Sequence, residues 1–530
     1  MVSPRANRCF EISWEVCNKV GGIYTVVSSK AAQMISRYGK DNYLLIGPHF
    51  PKKSWGIFEE RLAPEPYKRI FEELRKEGIV CSYGTWLVKG NPNAILIDFS
   101  GFAKEANNIK RNLWDWFGID SLGTTYFDFD EPVIWSYAVG RLLERINSVD
   151  PSIRSVAHCH EWLSGATLLY LKKNAPGVGT VFTTHATMLG RALSSAGFDL
   201  YANLQKVNPE DEARRMGQSM WAKFLMERAC AKQANVFTTV SEITGIEAQY
   251  LLGRKPEVLL LNGLDMDKFP TFEEASLRHR HYKSKIKEFC LSYFFPYSTF
   301  DLDNTLFYFL AGRYEFRDNG VDVYIKSLAK LNELLKGDQA KRTVVAFIFI
   351  PGNVRGTKME VLENRSQFED LKESVTENIE TIQTRMLYGL IETKELGCSF
   401  LFEEEALEEV HRKALRMHRK GIPPISTHDL FDEDQDQIIQ ALRQAGLDNR
   451  PENPVKVVFY PVYLSGADNL LNTTYYESMH GCHLGIFPSL YEPWGYTPLE
   501  ASALGVPSIT TDLAGFGRYV IKKGLHNALP

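Results

Sequence analysis

Residues 482–517, CHLGIFPSLYEPWGYTPLEASALGVPSITTDLAGFG, set how the rest of the chain is read. Leu484–Leu490 is a short apolar run, too uniformly hydrophobic for a solvent-facing helix, and predicts a buried strand. The loop Tyr491–Tyr496 follows. Thr497-Pro498-Leu499-Glu500 then has the composition of a helix start: a threonine cap, a proline in the first turn and an acid where a capping box places one. That helix is expected to end near Gly505-Val506-Pro507, with the next strand at Ser508–Thr511. Such a strand–loop–helix–strand unit sets its loop at the carboxyl edge of a buried sheet, where open α/β folds bind ligands.

Glu492 and Glu500 flank this loop with seven residues between them. A helix N-terminus aims free N–H groups and partial positive charge at the same spot, which suits a phosphate. Tyr491, Trp494 and Tyr496 suit stacking on a base or a sugar. The plainer alternative is that Glu500 only caps its helix and the rings are core.

A length of 530 residues implies about two or three domains. Hydrophobic content of 44% and charged content of 24% are those of a globular protein. A net charge of −4 argues against nucleic acid as main partner, but not against a neutral polymer or a small anion held by local cations. The start MVSPRANRCF lacks the apolar core of a signal peptide, and no run of about 18 apolar residues occurs, so no membrane role and a cytoplasmic location are expected. Eight cysteines without CxxC pairing argue against a disulfide framework. His480-Gly481-Cys482-His483 is the one ligand-like cluster, and without a distant partner pair no metal is expected there.

Strands and helical stretches alternate along both halves, which predicts α/β architecture: two Rossmann-like, doubly wound domains with parallel sheets around a ligand cleft. The expected division is a first domain over 1–275, an irregular charged connector over 276–302 and a second domain over 303–530. A charged, helical, strand-free insertion over 353–449 is expected in the second, as an oligomer surface or a solvated face. One long helix is expected around Asp211–Gln233.

Several residues at predicted strand ends carry chemistry. Lys19-Val20-Gly21-Gly22 follows the first strand, where paired glycines let the backbone approach a ligand and the lysine adds charge; a tight turn is the alternative. His185 follows the strand Thr180–Thr184, and Arg191 suits bidentate contact with a phosphate. His158, His160 and Glu161 follow another strand and read as core hydrogen bonding. Arg313 ends the second domain's first strand, and Asn262-Gly263 reads equally as a turn. Cations, a histidine and carboxylates without metal ligands suit departure of a diphosphate, stabilised by preorganised charge.

YEPWGYTPLE, with GCHLGIFPS before it and GVPSITT and GFG after it, resembles glycogen synthase of the animal and fungal type. EVCNKVGGIYTVVSSKA, HCHEWLSG, FTTHATMLGR, FTTVSEIT, LNGLDMDKF, FDLDNTLFYFLAGRYEF and KRTVVAFI agree with that family in its order. The resemblance implies a GT-B fold and transfer of glucose from UDP-glucose to the non-reducing 4-OH of glycogen, forming α-1,4 links with retention and no metal or other cofactor. It implies that Glu492 contacts the donor glucose and supports the transition state, Glu500 meets the ribose, Tyr496 stacks on uracil and Thr497 offers its N–H to phosphate. Arg191 and Arg313 then hold the diphosphate, His185 lies beside the glucose, and Lys19 with Gly21 and Gly22 covers the phosphates. The implied partners are glycogen, a glycogenin-like primer protein and further copies of the chain, tetrameric in the full-length family. Glucose 6-phosphate is the family's effector, and His279 and Lys283 match positions joining its pocket. Three departures stand out. Asn319 replaces a family lysine, Leu260-Leu261-Asn262-Gly263-Leu264 stands for LPNGL, and the sequence ends at Pro530, before the family's last helices. The expected alternative to an active synthase is therefore a silent, truncated one that binds glycogen or other subunits.

Overall fold

Apolar runs bounded by helix-forming stretches become strands that need cover on both faces, and both halves of the chain meet that need with helices. The computed structural model describes residues 5–337 and 342–525. Contacts divide the chain into two units. The first comprises residues up to Lys268 with two later segments, Tyr491–Tyr496 and the stretch from Asp512; the second comprises Phe269–Leu490 and Thr497–Thr511.

The first unit holds β1 (Arg8–Ile12), β2 (Tyr43–Pro48), β3 (Phe58–Glu60), β4 (Val80–Trp86), β5 (Asn93–Asp98), β6 (Ser155–His160), β7 (Gly179–Thr184), β8 (Val236–Thr239) and β9 (Val258–Leu259). They form one sheet in the order β3-β4-β5-β2-β1-β6-β7-β8-β9. From β5 to β9 neighbours run parallel, with Glu11 opposite His158 and Ile12 opposite Cys159 across β1 and β6. The β3–β4 and β4–β5 pairs are antiparallel, a departure from an all-parallel expectation. Only residues 87–92 join β4 to β5, too few for the crossover a parallel pair needs. Trp135 on the helix Glu131–Val149, Leu169 on Gly165–Asn174 and Phe224 on Gln218–Gln233 are fully buried over the sheet's Phe182 and Phe10. The single helix expected around Asp211–Gln233 is instead two, Pro209–Arg215 and Gln218–Gln233. Gly217 between them has φ 101°, a left-handed conformation that ends one ladder and starts the next.

The second unit holds β10 (Thr305–Ala311), β11 (Thr343–Phe349), β12 (Val354–Thr357), β13 (His428–Leu430), β14 (Val455–Tyr460), β15 (Leu484–Phe487) and β16 (Ser508–Thr510). Five of these form a parallel sheet in the order β14-β11-β10-β15-β16. The insertion over 353–449 is not strand-free, since β12 and β13 pair antiparallel. The residues read as an irregular connector form a helix, Phe272–Tyr293. Thr271 caps it by accepting from the Glu274 N–H, and Ile286, Phe289, Cys290 and Tyr293 make its buried stripe at helical spacing. Only its second half shows that period, which the charged first half hides. Among the described residues no helix is long and apolar enough to cross a membrane.

Candidate active site

β7 delivers His185 at its carboxyl end, and the chain then turns into the helix Met188–Ser195. Thr187 caps this helix, its hydroxyl oxygen accepting from the Gly190 N–H at 3.0 Å, and Arg191 follows one residue later. Three buried acids hold this turn. Glu161 Oε1 accepts from the backbone N–H groups of His185 and Ala186 at 2.8 and 3.0 Å. Glu227 Oε2 accepts from the Met188 N–H at 3.0 Å. Glu247 Oε1 accepts from the Thr187 hydroxyl. Glu161 also has φ 63°, a backbone region rarely open to a side chain and one that clusters at functional sites.

Burial raises the carboxyls of all three acids above their ordinary range. For Glu161 the rise reaches about 7, opposed by the charge of Arg191 and by the two accepted N–H groups. Glu227 is raised by burial and then by the neighbouring Glu161 carboxyl.

The loop Tyr491–Tyr496 belongs to the same unit. The Tyr491 hydroxyl donates to Glu247 Oε1 at 2.9 Å, and the Tyr491 ring stacks on Tyr201 with centroids 6.2 Å apart. Glu492 pairs by backbone with Ala514, its carbonyl accepting from the Gly515 N–H at 3.0 Å. A Cβ on Gly515 would lie 2.2 Å from the Pro493 carbonyl oxygen, so only glycine lets the two stretches approach. Gly495, with φ 98°, turns the loop into a helix that starts at Tyr496. Thr497 therefore lies inside the helix rather than capping it, and Glu500 is not at a capping-box position.

Lys19-Val20-Gly21-Gly22 leads into the helix Gly22–Tyr38. Two N–H groups at its start are engaged: Glu15 Oε2 accepts from Gly21 at 2.7 Å and from Tyr24 at 2.9 Å. Lys19 lies over the Tyr24 ring at 5.9 Å. The ring of Tyr496 would be 3.6 Å from a Cβ on Gly22, and its hydroxyl donates to the Gly263 carbonyl at 3.4 Å. Asn262 is buried, with its Oδ1 unpartnered. One unit thus brings together the Lys19–Gly22 turn, His185, Arg191, Asn262 and the Glu492 loop.

Beneath His185 lies a buried polar chain that the sequence reading treats as core hydrogen bonding in part. His185 Nε2 is 2.8 Å from His160 Nδ1, and His160 Nε2 contacts Glu11 Oε1. Glu11 also takes the Lys30 ammonium at 2.5 Å and the Tyr43 hydroxyl at 3.0 Å. Glu11, His158 and His160 have metal-compatible spacing, but Lys30 already supplies the cation for this carboxylate. Burial alone would raise the Glu11 carboxyl; Lys30, His158 and His160 outweigh it and hold it well below the usual range. Burial lowers both His185 and His160, followed by repulsion from His160 and then Lys30 at His185, and from Lys30 at His160.

In the second unit Arg313 follows β10, is 57% exposed and pairs with Glu315 at 3.3 Å. Asn319 spends its amide on the Arg313 carbonyl at 2.7 Å, which positions the arginine's backbone without adding charge. Glu500 is buried and accepts from the hydroxyls of Tyr476 at 2.8 Å and Tyr475 at 3.2 Å. His279 Nδ1 bonds the His480 carbonyl at 2.8 Å, and Lys283 lies one turn further along the same helix. His480 and His483 bond backbone groups of Ala275 and Phe307, at 2.9 Å each.

Glu11, Lys30, Glu15, Glu227 and Glu247 escaped the sequence reading. An acid inside the apolar strand RCFEI is the signal that marks Glu11. The partners of Glu247 come from residues 187, 201 and 491, which only folding unites.

The chain matches the family described as glycogen synthase over residues 11–527. It is 38% identical to glycogen [starch] synthase isoform 1 of Saccharomyces cerevisiae, over 96% of this chain and 74% of the yeast protein. It is 37% identical to the human liver glycogen [starch] synthase, over 96% of this chain and 72% of that protein. A Dictyostelium discoideum glycogen [starch] synthase is 39% identical over 96% of this chain and 58% of its own length.

Proposed function

From the chain's membership of the glycogen synthase family, we propose that it is a retaining glycosyltransferase of the GT-B class that extends glycogen from UDP-glucose. The observation that carries the reading is the match over residues 11–527, which includes the motifs holding Glu492, His185 and Arg191.

In this reading the bond between the sugar's anomeric carbon and the diphosphate oxygen breaks as a bond to the acceptor's 4-oxygen forms on the same face. The acceptor's proton passes to the departing phosphate oxygen, so no protein base is consumed. Arg191, Arg313 and Lys19 supply positive charge to the leaving diphosphate, the task a metal performs elsewhere. Glu492 supports positive charge developing at the sugar, and His185 contacts the glucose. Tyr496 stacks on the uracil, Thr497 donates its N–H to a phosphate, and Glu500 holds the ribose. Asn262 adds a polar contact in the first unit.

Glycogen, a glycogenin-like primer, glucose 6-phosphate at His279 and Lys283, and self-association remain part of the proposal. Self-association draws support from the helix Ile379–Ile391, which exposes Leu387, Leu390 and Ile391. Labelled glucose transfer from UDP-glucose to glycogen by the purified chain is the test. No incorporation, with glycogen still bound, overturns the catalytic reading in favour of a silent binding protein.

A further inference from the structure

The chain Glu11–His160–His185 is built entirely of buried side chains, with Glu11 at 0% and His160 at 2% exposure. Its hydrogen positions follow from the acceptor at one end. Glu11 faces the Lys30 ammonium at 2.5 Å and takes the Tyr43 hydroxyl, so its carboxylate is ionised and only accepts. His160 must therefore donate Nε2–H to Glu11. A neutral imidazole then has a bare Nδ1, and the 2.8 Å contact forces His185 to donate from its own Nε2. His158 lies beside the pair, 3.4 Å from Glu11 through Nδ1 and 2.7 Å from the Thr183 hydroxyl through Nε2, so it does not compete for His185.

We infer that Glu11 and His160 are positioning residues that lock the His185 imidazole as the Nε2–H tautomer, leaving Nδ1 as its acceptor nitrogen. Burial and the nearby Lys30 charge keep these rings neutral, which the arrangement requires. The lock would let His185 accept from a hydroxyl of the donor sugar rather than donate to it, and this consequence rests on the proposed transfer reaction. The logic is that of a histidine whose tautomer is set by the carboxylate behind it, with one further imidazole in between.

Selective 15N-histidine labelling of the whole chain reads the tautomer directly, with His185 assigned from the spectrum of His185→Gln. The expected signal is a neutral ring protonated at Nε2; a ring protonated at Nδ1, or at both nitrogens, overturns the inference. The second arm compares His160→Leu, which removes the acceptor, with His160→Asn, whose amide oxygen replaces Nδ1. His160→Leu is expected to mix the His185 tautomers and to lower kcat about 10- to 100-fold, with KM for UDP-glucose within about twofold. His160→Asn is expected to restore the tautomer and most of that loss. Equal spectra and rates for the two variants, or a kcat within about twofold of the parent for His160→Leu, overturn the inference. If the parent chain transfers no glucose, the functional reading fails while the spectra still decide the tautomer.

Discussion

The Tyr491 hydroxyl donates to Glu247 at 2.9 Å, and the same carboxylate oxygen takes the hydroxyl of Thr187. One buried acid thus ties the loop carrying Glu492 to the cap of the helix carrying Arg191. Tyr201 adds a third hydroxyl at 3.1 Å, so burial costs Glu247 little of its hydrogen bonding. Removing one partner leaves the others aimed at a changed acceptor. Tyr491→Phe is expected to lower stability by about 1–3 kcal/mol and to reduce kcat more than it changes the UDP affinity. Combined with Thr187→Ala, the losses should be non-additive in a double-mutant cycle of unfolding midpoints and transfer rates. Additive losses would show that the acid does not couple the two segments.

Glu161 predicts a pH signature of its own. Its carboxyl is raised from 4.5 to about 7 by burial, so the folded chain holds this proton more tightly than the unfolded one. The stabilisation is complete below pH 4.5 and is lost as pH rises towards 7. Glu161→Gln keeps an oxygen for the His185 and Ala186 N–H groups without the titration. The difference in unfolding free energy between parent and variant should therefore shift by roughly 2–3 kcal/mol between those limits, read by denaturant melts at several pH values. Glu11 and the neutral histidines act in the opposite sense at acid pH and cancel in the difference between parent and variant, which retains the part of the Glu227 titration that the Glu161 carboxyl raises. A pH-independent difference would place the Glu161 titration elsewhere.

Glu492→Gln preserves shape and removes charge. The expected outcome is loss of most glucose transfer, by about 100-fold or more, with UDP binding retained in calorimetric titration. Near-normal turnover would remove Glu492 from the reaction.

The strands expected at Thr180–Thr184 and Ser508–Thr511 lie within one residue of Gly179–Thr184 and Ser508–Thr510, because an apolar run between turn residues leaves few alternatives. The helix Phe272–Tyr293 was hidden because its first three turns are charged and its apolar stripe begins only at Ile286. The strand-end placement of His185 after β7 and of Arg313 after β10 was legible from position alone. Their supports were not. Glu11 needs β6 beside β1 to meet His160, and Glu227 needs its helix against the Met188 turn. Local sequence encodes which side chain reaches a sheet edge, whereas tertiary pairing decides which buried acid holds it there.

Glu500 illustrates the difference most sharply, since its expected capping role gives way to two phenol donors. Tyr475 and Tyr476 both aim hydroxyls at its carboxylate, and burial followed by that carboxylate's charge raises both phenols. Glu500→Ala would remove the acceptor of two part-buried hydroxyls and is expected to destabilise the second unit by about 1–2 kcal/mol. Glu500→Gln keeps an acceptor and a donor in the same volume, so its melting temperature should stay close to the parent's. If the acid also holds the donor's ribose, the glutamine variant should still bind UDP-glucose more weakly, because a charge-assisted hydrogen bond becomes a neutral one. Calorimetric titration beside thermal melts separates the two roles. A glutamine variant with parental affinity would confine Glu500 to holding its two tyrosines.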